Sequence, residues 1–204
     1  RSAPPALDSL SERERRLVRM LVASVGTQAL PKDAPLDPGV DLLWRHPQVR
    51  AELGQLFEVL ADRVNHVHEG LATHPDVPLQ VHARYTRLEI LAAFGVGDAT
   101  ARVSPWQTGV WWAPEAQADL LAFTLDKTSG SFSPTTRYRD YAISRVLIHW
   151  ESQGVTRADS DTGRRYQHHA SRGSSVMLFA RLRNDDRAFW YLGPACENRG
   201  PMGE

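Results

Sequence analysis

The sequence predicts an α+β protein in which an N-terminal helical segment is followed by an antiparallel, barrel-like β-domain. Three observations lead to this fold class. Apolar residues recur at helical spacing in the first third of the chain. Short apolar runs separated by Gly, Ser, Pro and Asp clusters fill the rest. No long helical pattern lies between these runs, which favours antiparallel pairing in a barrel-like sheet.

The helical segment opens with two local signals. Ser11-Glu12-Arg13-Glu14 has the pattern of a capping box, and apolar residues follow it at helical spacing. Asp37-Pro38 combines a capping residue with proline at the first helical position, so a second, short helix is predicted to run to about Trp44.

The strongest periodic signal in the chain is a third helix that is predicted to stop at Gly70. Its apolar stripe consists of Val49, Leu53, Leu56, Phe57, Leu60, Val64 and Val67. A Pro-containing connector, Ala72 to Pro78, follows this helix. We therefore place the domain boundary there, with a helical connector over residues 1–78 and a β-rich domain over residues 79–204.

The β-rich part begins with a second capping box, Thr86-Arg87-Leu88-Glu89, whose helix is predicted to end at Phe94-Gly95. Asn184-Asp185-Asp186 is predicted to form a hairpin turn between the last two strands. The candidate strands are Gly109–Ala113, Leu120–Asp126, Ala142–Glu151, Ser175–Arg183 and Ala188–Leu192.

Composition limits the class of protein. The 204 residues are 42% hydrophobic and 24% charged, which is ordinary for a globular protein that buries a core. No apolar run reaches the ~18–20 residues that cross a bilayer, and no signal-peptide pattern opens the chain. The single cysteine, Cys196, excludes an internal disulfide and a usual zinc site. We expect a cytoplasmic protein with no membrane partner, no metal and no cofactor.

Charge is balanced overall but unevenly distributed. Net charge is zero, and Lys32 and Lys127 are the only lysines. Between Arg137 and Arg187 there are ten Arg against six Asp plus Glu, whereas the first eighty residues lean acidic. A locally basic C-terminal part suits contact with phosphates. A GC-rich genome would equally produce a high arginine content.

The segment from Thr124 to Gln153 carries the clearest binding signal. A polar loop, Ser129 to Asp140, separates two apolar runs, and the second run ends in His149-Trp150-Glu151-Ser152-Gln153. A flat apolar face beside hydrogen-bonding groups suits a planar polar ligand such as a nucleobase. The structural alternative is an exposed loop followed by a core strand with a buried Trp.

Four ordered motifs in this part of the chain resemble a known bacterial domain family. They are D-K-(x)n-F-S-P-T-T-R-Y-x-D-Y-A-I-S, H-W-E-S-Q, T-G-R-R-Y-x-x-H and F-W-Y-L-G-P, and the resemblance covers roughly Val81 to Met202. That family lies at the C-terminus of superfamily-2 helicases with an N-terminal phospholipase-D-type nuclease. This is the layout of SauUSI-type type IV restriction enzymes, which cut DNA containing 5-methylcytosine or 5-hydroxymethylcytosine.

The resemblance implies target recognition rather than catalysis by this chain. The partners it implies are double-stranded DNA carrying a modified base and the helicase and nuclease domains of a parent protein. Recognition would proceed by base flipping, without covalent chemistry. The implied fold is a barrel of the kind used by SRA- and PUA-like readers, by analogy alone. Because the family runs on into another short strand, we also expect a C-terminal truncation.

An extruded cytosine needs a stacking surface, an acceptor for its amine and a donor for its carbonyl oxygen. Adjacent Trp111 and Trp112 would point to opposite faces of a strand, so at most one of them enters the core directly. Trp190-Tyr191 has the pattern of a closing core strand. The candidate base-binding residues are Trp150, Tyr141, Asp140, Trp112, Tyr138, Ser152 and Gln153. For Asp140, a turn residue paired with an arginine is an equal alternative.

Basic and hydroxyl side chains in the predicted loops are the candidate phosphate contacts. They are Arg137, Arg139, Arg164, Arg165, Arg172, Lys127 and Ser133. His168-His169 does not make a convincing nuclease pair, because a metal-dependent nuclease needs clustered carboxylates or a full His-metal motif. The nearest acids, Asp159 and Asp161, lie in a predicted Ser/Asp/Gly loop. No catalytic residue is therefore predicted.

Two other functions are compatible with the sequence. The domain would read a different DNA modification or a damaged site if the pocket accepts another ligand. It would be a protein-interaction module, or the interface of a homodimer, if its aromatic residues lie in an interface instead of a base pocket.

Overall fold

The computed structural model describes residues 3–4, 6–26, 36–63, 71–96, 106–126, 140–144 and 146–196. The chain divides into two compact units. The first contains Arg1–Gln80 and Arg87–Pro105, and the second contains Val81–Thr86 and Trp106–Glu204. A short strand of the second unit therefore precedes the last helix of the first unit along the chain.

The first unit consists of helices, and its first helix begins where the capping box predicts. The Ser11 backbone N–H and hydroxyl both donate to Glu14 Oε2, at 2.8 and 2.7 Å, and the Glu14 N–H donates to Ser11 Oγ at 3.3 Å. A short 3-10 helix, Leu7–Ser9, precedes it. The helices are α1 (Glu12–Gly26), α2 (Leu36–Trp44), α3 (Pro47–Ala61) and α4 (Arg87–Ala93).

Helix α4 follows the second predicted capping box and packs against α1. Its residues 90–93 are buried. The chain leaves the helix at Gly95, where φ is +71°. The Val96 N–H donates to Leu91 O at 2.8 Å and the Gly95 N–H to Ala92 O at 3.1 Å, which is the hydrogen-bond pattern of a Schellman motif. The predicted stop at Phe94-Gly95 is confirmed.

Helix α3 is shorter than its apolar stripe predicts. It ends at Ala61, and the predicted positions Val64, Val67 and Gly70 lie outside the described residues. None of its residues is buried, and Phe57 is 52% exposed. The stripe therefore marks a helix correctly, but the side chains in its described part do not enter a core.

The second unit contains a curled, barrel-like sheet of five strands in the order β1-β7-β6-β3-β2 and a separate two-stranded sheet, β4-β5. A short helix, α5 (Asp161–Gln167), lies between β5 and β6 along the chain. The strands are β1 (Arg84–Thr86), β2 (Val110–Ala113), β3 (Ala118–Thr124), β4 (Tyr141–Ala142), β5 (Ile148–His149), β6 (Ser175–Arg181) and β7 (Ala188–Ala195).

The predicted antiparallel sheet is wrong in one pairing. β3 and β6 run parallel, from Ala118 opposite Ser175 to Thr124 opposite Arg181, so the sheet is mixed. A parallel pair needs a long connection that returns the chain to the same end of the sheet. Residues 125–174, which contain β4, β5 and α5, supply that connection.

Two other local predictions differ from the structure. The apolar run Ala142–Glu151 is not one strand, because Ala142 pairs with Ile148 across a tight loop in which the Ile143 N–H donates to Leu147 O at 2.9 Å. The predicted loop around Asp161 is instead helix α5, with Ser160 as its N-cap. In contrast, the hairpin between β6 and β7 forms at the predicted turn, where the Asp186 N–H donates to Arg183 O at 3.3 Å.

The pairing register divides the side chains of the sheet between two faces, because directly opposed residues point to the same side. One face carries the core: Phe179 stacks on Tyr191 with 4.9 Å between ring centroids, and the Tyr191 hydroxyl donates to Met177 Sδ at 3.2 Å. Trp111 lies opposite Leu120 and shares this face. The other face carries Arg84, Trp112, Asp119, Leu121, Val176, Leu178 and Trp190.

Among the helices that the structure describes, none combines the length and the apolar character that a membrane crossing requires.

Candidate functional site

A cleft of about 990 Å³ lies against the second face of the sheet. The sheet contributes apolar side chains to its floor, the β4-β5 hairpin contributes a wall, and α5 with the residues after it contributes the polar end. The lining residues from the sheet are Leu121, Val176, Leu178, Leu192, Pro194 and Ala195, followed by Cys196. Those from the hairpin and α5 side are Ala142, Ser144, Val146, Leu147, Ile148, Trp150, Tyr166, Gln167 and His169.

Two aromatic residues of the cleft lie next to each other. Trp150 directly follows β5, and its ring meets the edge of Tyr166 with 5.5 Å between centroids and an 82° angle between planes. Burial, reinforced by the nearby Asp119 carboxylate, raises the pKa of Tyr166 to about 12. The Tyr166 hydroxyl therefore keeps its proton at neutral pH and can donate a hydrogen bond.

Tyr166 was not among the candidate residues from the sequence. Its signal was present in the T-G-R-R-Y motif, but only the two arginines of that motif were assigned a role. Without helix α5, nothing in the sequence indicates that Tyr166 lies beside Trp150, sixteen positions earlier in the chain.

Helix α5 is attached to the sheet by a buried ion pair. Arg165 Nε donates to Asp119 Oδ2 at 2.6 Å, and Arg165 Nη2 donates to Asp119 Oδ1 at 2.9 Å. Burial raises the pKa of the fully buried Asp119 carboxyl and the Arg165 guanidinium opposes that rise, while its hydrogen bonds to Asp119 raise the pKa of Arg165. The pair fixes the helix that carries Tyr166.

The same guanidinium covers a second predicted residue. The Arg165 Cζ lies 3.9 Å from the centre of the Trp112 ring, in cation–π contact. Trp112 lies on the cleft side of the sheet but is not among the residues that line the cleft. However, one face of its indole and two donors of Arg165 are already occupied within the protein, so neither residue enters the function that we propose below as a direct contact.

Three other candidate base-binding residues, Asp140, Ser152 and Gln153, are not among the residues that line the cleft. Asp140 is buried, and its Oδ1 accepts a hydrogen bond from the Glu151 backbone N–H at 3.0 Å. Gln153 O accepts from the Thr156 N–H at 2.7 Å. The contact to Glu151 connects the residue before β4 to the residue after Trp150. Both interpretations of Asp140, as a base contact and as a turn residue paired with an arginine, stay predictions.

Tyr141 lies on the outside of the hairpin. It is 51% exposed, and its ring stacks on His149 with 4.9 Å between centroids. It is not among the lining residues of the cleft. Tyr138, the remaining aromatic candidate, lies outside the described residues.

The other candidate phosphate contacts are only partly described. Arg164 on α5 and Arg172 after it are exposed, on the segment that also carries Tyr166 and His169. Their role in phosphate binding stays a prediction. Arg137, Arg139, Lys127 and Ser133 lie outside the described residues.

His169 has a structural position. It is buried, with Nδ1 3.2 Å from Tyr166 O and Nε2 3.2 Å from Ala195 O, so it links the end of α5 to the end of β7. His168, beside it, is exposed. In the part of the chain that the structure describes, no three His, Cys, Asp or Glu side chains are grouped to hold a metal ion.

Gly163 allows α5 to lie close to the preceding loop. A Cβ atom at this position would come within 2.1 Å of Arg157 O. We expect Gly163→Ala to destabilise the protein by about 1–3 kcal/mol, because the helix or the loop must shift. The matched control is Gly54→Ala in α3, where a Cβ meets nothing within 4 Å. That change should stabilise by about 0.5–1 kcal/mol. Thermal melting of both variants tests this opposite pair of effects, and equal shifts would contradict it.

Comparison with curated proteins finds no match to this chain. The family described as a domain of unknown function, DUF3427, matches residues 79–202. The matched span contains the seven strands that the structure describes, together with α4 and α5, and hence the cleft and the ion pair behind it. Since it covers more than half of the 204 residues, the chain belongs to the DUF3427 family.

Proposed function

We propose that this chain is a DNA-reading module that binds duplex DNA carrying a modified cytosine and receives the extruded base in the cleft beside Trp150 and Tyr166. The observation that carries the proposal is the aromatic pair at the edge of an open, mainly apolar cleft. The resemblance to the C-terminal domain of type IV restriction enzymes directs the choice of ligand.

The chemistry of the cleft is suited to a modified base. Its volume of about 990 Å³ lies at the upper end of the usual range for ligand sites, about 300–1,000 Å³. The Tyr166 hydroxyl and the Gln167 amide supply hydrogen-bonding groups at one end. Val176 and Leu178 supply an apolar surface for a 5-methyl group, whose burial is worth about 1 kcal/mol. Discrimination against plain cytosine is therefore modest unless shape adds to it.

In this proposal the chain recognises DNA and performs no covalent step. ATP hydrolysis and strand cleavage belong to helicase and nuclease domains of a larger cytoplasmic restriction protein, and the reader fold is of the SRA- or PUA-like kind. Base extrusion requires the duplex to open locally, at a cost of a few kcal/mol that stacking and hydrogen bonds in the cleft must offset.

Binding should prefer modified DNA and weaken with salt. We expect the order 5-methylcytosine or 5-hydroxymethylcytosine duplex above plain duplex, measured by fluorescence anisotropy with otherwise identical oligonucleotides. The logarithm of the affinity should fall with the logarithm of the salt concentration by ~0.9 for each phosphate contact. Tight, salt-dependent binding to DNA without a preference for either modified duplex would contradict the proposal that this chain recognises a modified cytosine. Absence of DNA binding would instead favour the protein-interaction alternative.

A further inference from the structure

We propose that Trp190 and the arginines around it form a second nucleic-acid contact, which stacks on an unpaired nucleotide next to the cleft whatever its base. The inference rests on the proposed function in taking DNA as the ligand. It adds a contact that is independent of base modification, at a position where the sequence predicts a core residue.

Trp190 is a large aromatic side chain on the exposed face of β7, whose residues alternate between buried and exposed. It is 46% exposed, whereas Phe189 and Tyr191 on either side of it are buried. A large aromatic side chain contributes most to stability when it is buried, so core packing does not account for an indole that remains half in solvent.

The position of Trp190 connects it with the cleft. It pairs with Ala180 of β6 and with Arg84 of β1, so it lies on the cleft side of the sheet. Leu192, two residues along the same strand, lines the cleft. At ~3.3 Å per residue, the two positions are roughly 7 Å apart along the strand. A nucleotide that neighbours a base in the cleft would come within reach of the indole.

The charge around Trp190 suits a phosphate. Arg84 lies over the indole ring as Arg165 lies over Trp112, but at 5.4 Å from the ring centre instead of 3.9 Å, so a stacking base would take the other face of the ring or displace Arg84. Arg84 also contacts Asp186 at 3.5 Å, and its side chain remains 44% exposed. Arg181 does not contribute to this surface, because its guanidinium lies over the Phe189 ring and donates to Thr124 and Asp186. The remaining charged residues of β1 and of the β6-β7 hairpin are Arg84, Arg183, Asp185, Asp186 and Arg187, three positive and two negative, for a net charge of +1.

An exposed aromatic face within a positive surface is the arrangement that binds single-stranded nucleic acid. Stacking on an aromatic ring tolerates every base, and the positive charges hold the backbone. Extrusion of a base removes one stacking partner from the bases on either side of it and leaves the opposite base unpaired. The Trp190 surface therefore supplies affinity at the opened site, while the cleft supplies the preference for a modified base.

The test compares Trp190→Leu with Trp190→Phe. Leucine keeps apolar bulk on the strand and removes the ring, whereas phenylalanine keeps a ring. We expect Trp190→Leu to weaken binding of an unmodified single-stranded oligonucleotide about 5- to 150-fold, with Trp190→Phe close to the parent protein. Methylated and plain duplexes should lose affinity by one common factor, so the preference for methylation stays unchanged. Leu182→Ala is the control, because Leu182 is also exposed in the adjoining hairpin, at 56% against 46% for Trp190, and its replacement should leave affinity unchanged.

Thermal melting accompanies each binding measurement. Equal affinity of folded Trp190→Leu and the parent protein for the unmodified strand would overturn the inference, and so would a parent protein that does not bind this strand. A parent protein that binds the strand through Trp190 but has no preference for methylation would overturn the proposed function and leave this inference standing. If Trp190→Leu unfolds, the Arg84→Gln variant tests the proposal in its place. An affinity for the single strand and a salt dependence equal to those of the parent protein would then overturn the proposal.

Discussion

Replacing Arg165 with alanine is expected to lower the free energy of unfolding by about 3–5 kcal/mol, because it leaves the Asp119 carboxylate buried without its cation. The loss of Arg165 affects Asp119 strongly, because the Asp119 side chain has no solvent access and both its oxygens accept hydrogen bonds from Arg165. Denaturant unfolding followed by circular dichroism measures the change. Arg164→Ala, on the same helix but exposed, should change stability by no more than about 0.5 kcal/mol.

The loss should depend on pH in a defined direction. Arg165 acts to lower the pKa of Asp119, so its removal raises that pKa further above the unfolded value. A carboxyl whose folded pKa is raised binds its proton more tightly in the folded state, so its contribution to stability is present below the unfolded pKa and is lost as pH rises through the folded pKa. The deficit of Arg165→Ala against the parent protein should therefore be largest at neutral pH and shrink towards pH ~4.

A double variant separates burial of charge from loss of packing. Asp119→Leu/Arg165→Met removes both charges and keeps apolar bulk, so we expect it to recover most of the stability that Arg165→Ala loses. The stability of Arg165→Lys should lie between that of Arg165→Ala and that of the double variant, because lysine keeps the positive charge but cannot reproduce the two-donor geometry. An Arg165→Ala protein as stable as the parent at neutral pH would show that the ion pair does not hold α5 on the sheet.

Removing either aromatic side chain of the cleft should reduce specific binding strongly. Stacking on a base is typically worth ~1–3 kcal/mol by alanine substitution, so Trp150→Ala and Tyr166→Ala should each weaken binding to methylated duplex about 5- to 150-fold. Affinity for plain duplex should change far less, because phosphate contacts supply most of it. Tyr166→Phe keeps the ring and removes the hydroxyl, so it isolates the hydrogen bond from the stacking.

Stability must be measured in parallel, because Trp150 packs edge-on against Tyr166. Loss of a buried aromatic side chain costs about 3–5 kcal/mol, and Trp150 is half-buried, so its alanine variant should keep a cooperative melt at a lower temperature. Tyr141→Ala is the matched control: this ring is exposed, stacks on His149 and does not line the cleft. If Trp150→Ala and Tyr166→Ala remain folded and keep the preference for methylated DNA, the base is not read in this cleft.

The candidate site was predictable in part. Trp150 was selected because an apolar run ends at it and polar residues follow, and it does line the cleft. Tyr166 and Arg165 were adjacent letters of one motif, yet their different positions depend on α5, which the sequence did not predict. The first turn of α5 is polar and contains Gly163, so its helix propensity is weak. Close packing of Gly163 against Arg157 outweighs this weak propensity. For Asp119, no local pattern indicates that a carboxylate inside an apolar strand has a cation forty-six residues away.

Local signals determined the features that need only neighbouring residues: the capping box at Ser11, the helix stop at Gly95 and the hairpin turn before Asp186. In each case a few side chains or backbone angles satisfy groups within the same turn, so the interaction is encoded in adjacent letters. The parallel pairing of β3 with β6, the placement of Trp111 and not Trp112 on the core face, and the exposure of Trp190 were decided by tertiary structure. These features depend on which distant strand supplies the partner hydrogen bonds and on which face of the sheet another element covers. The periodicity of residues along a single strand carries no information on either point.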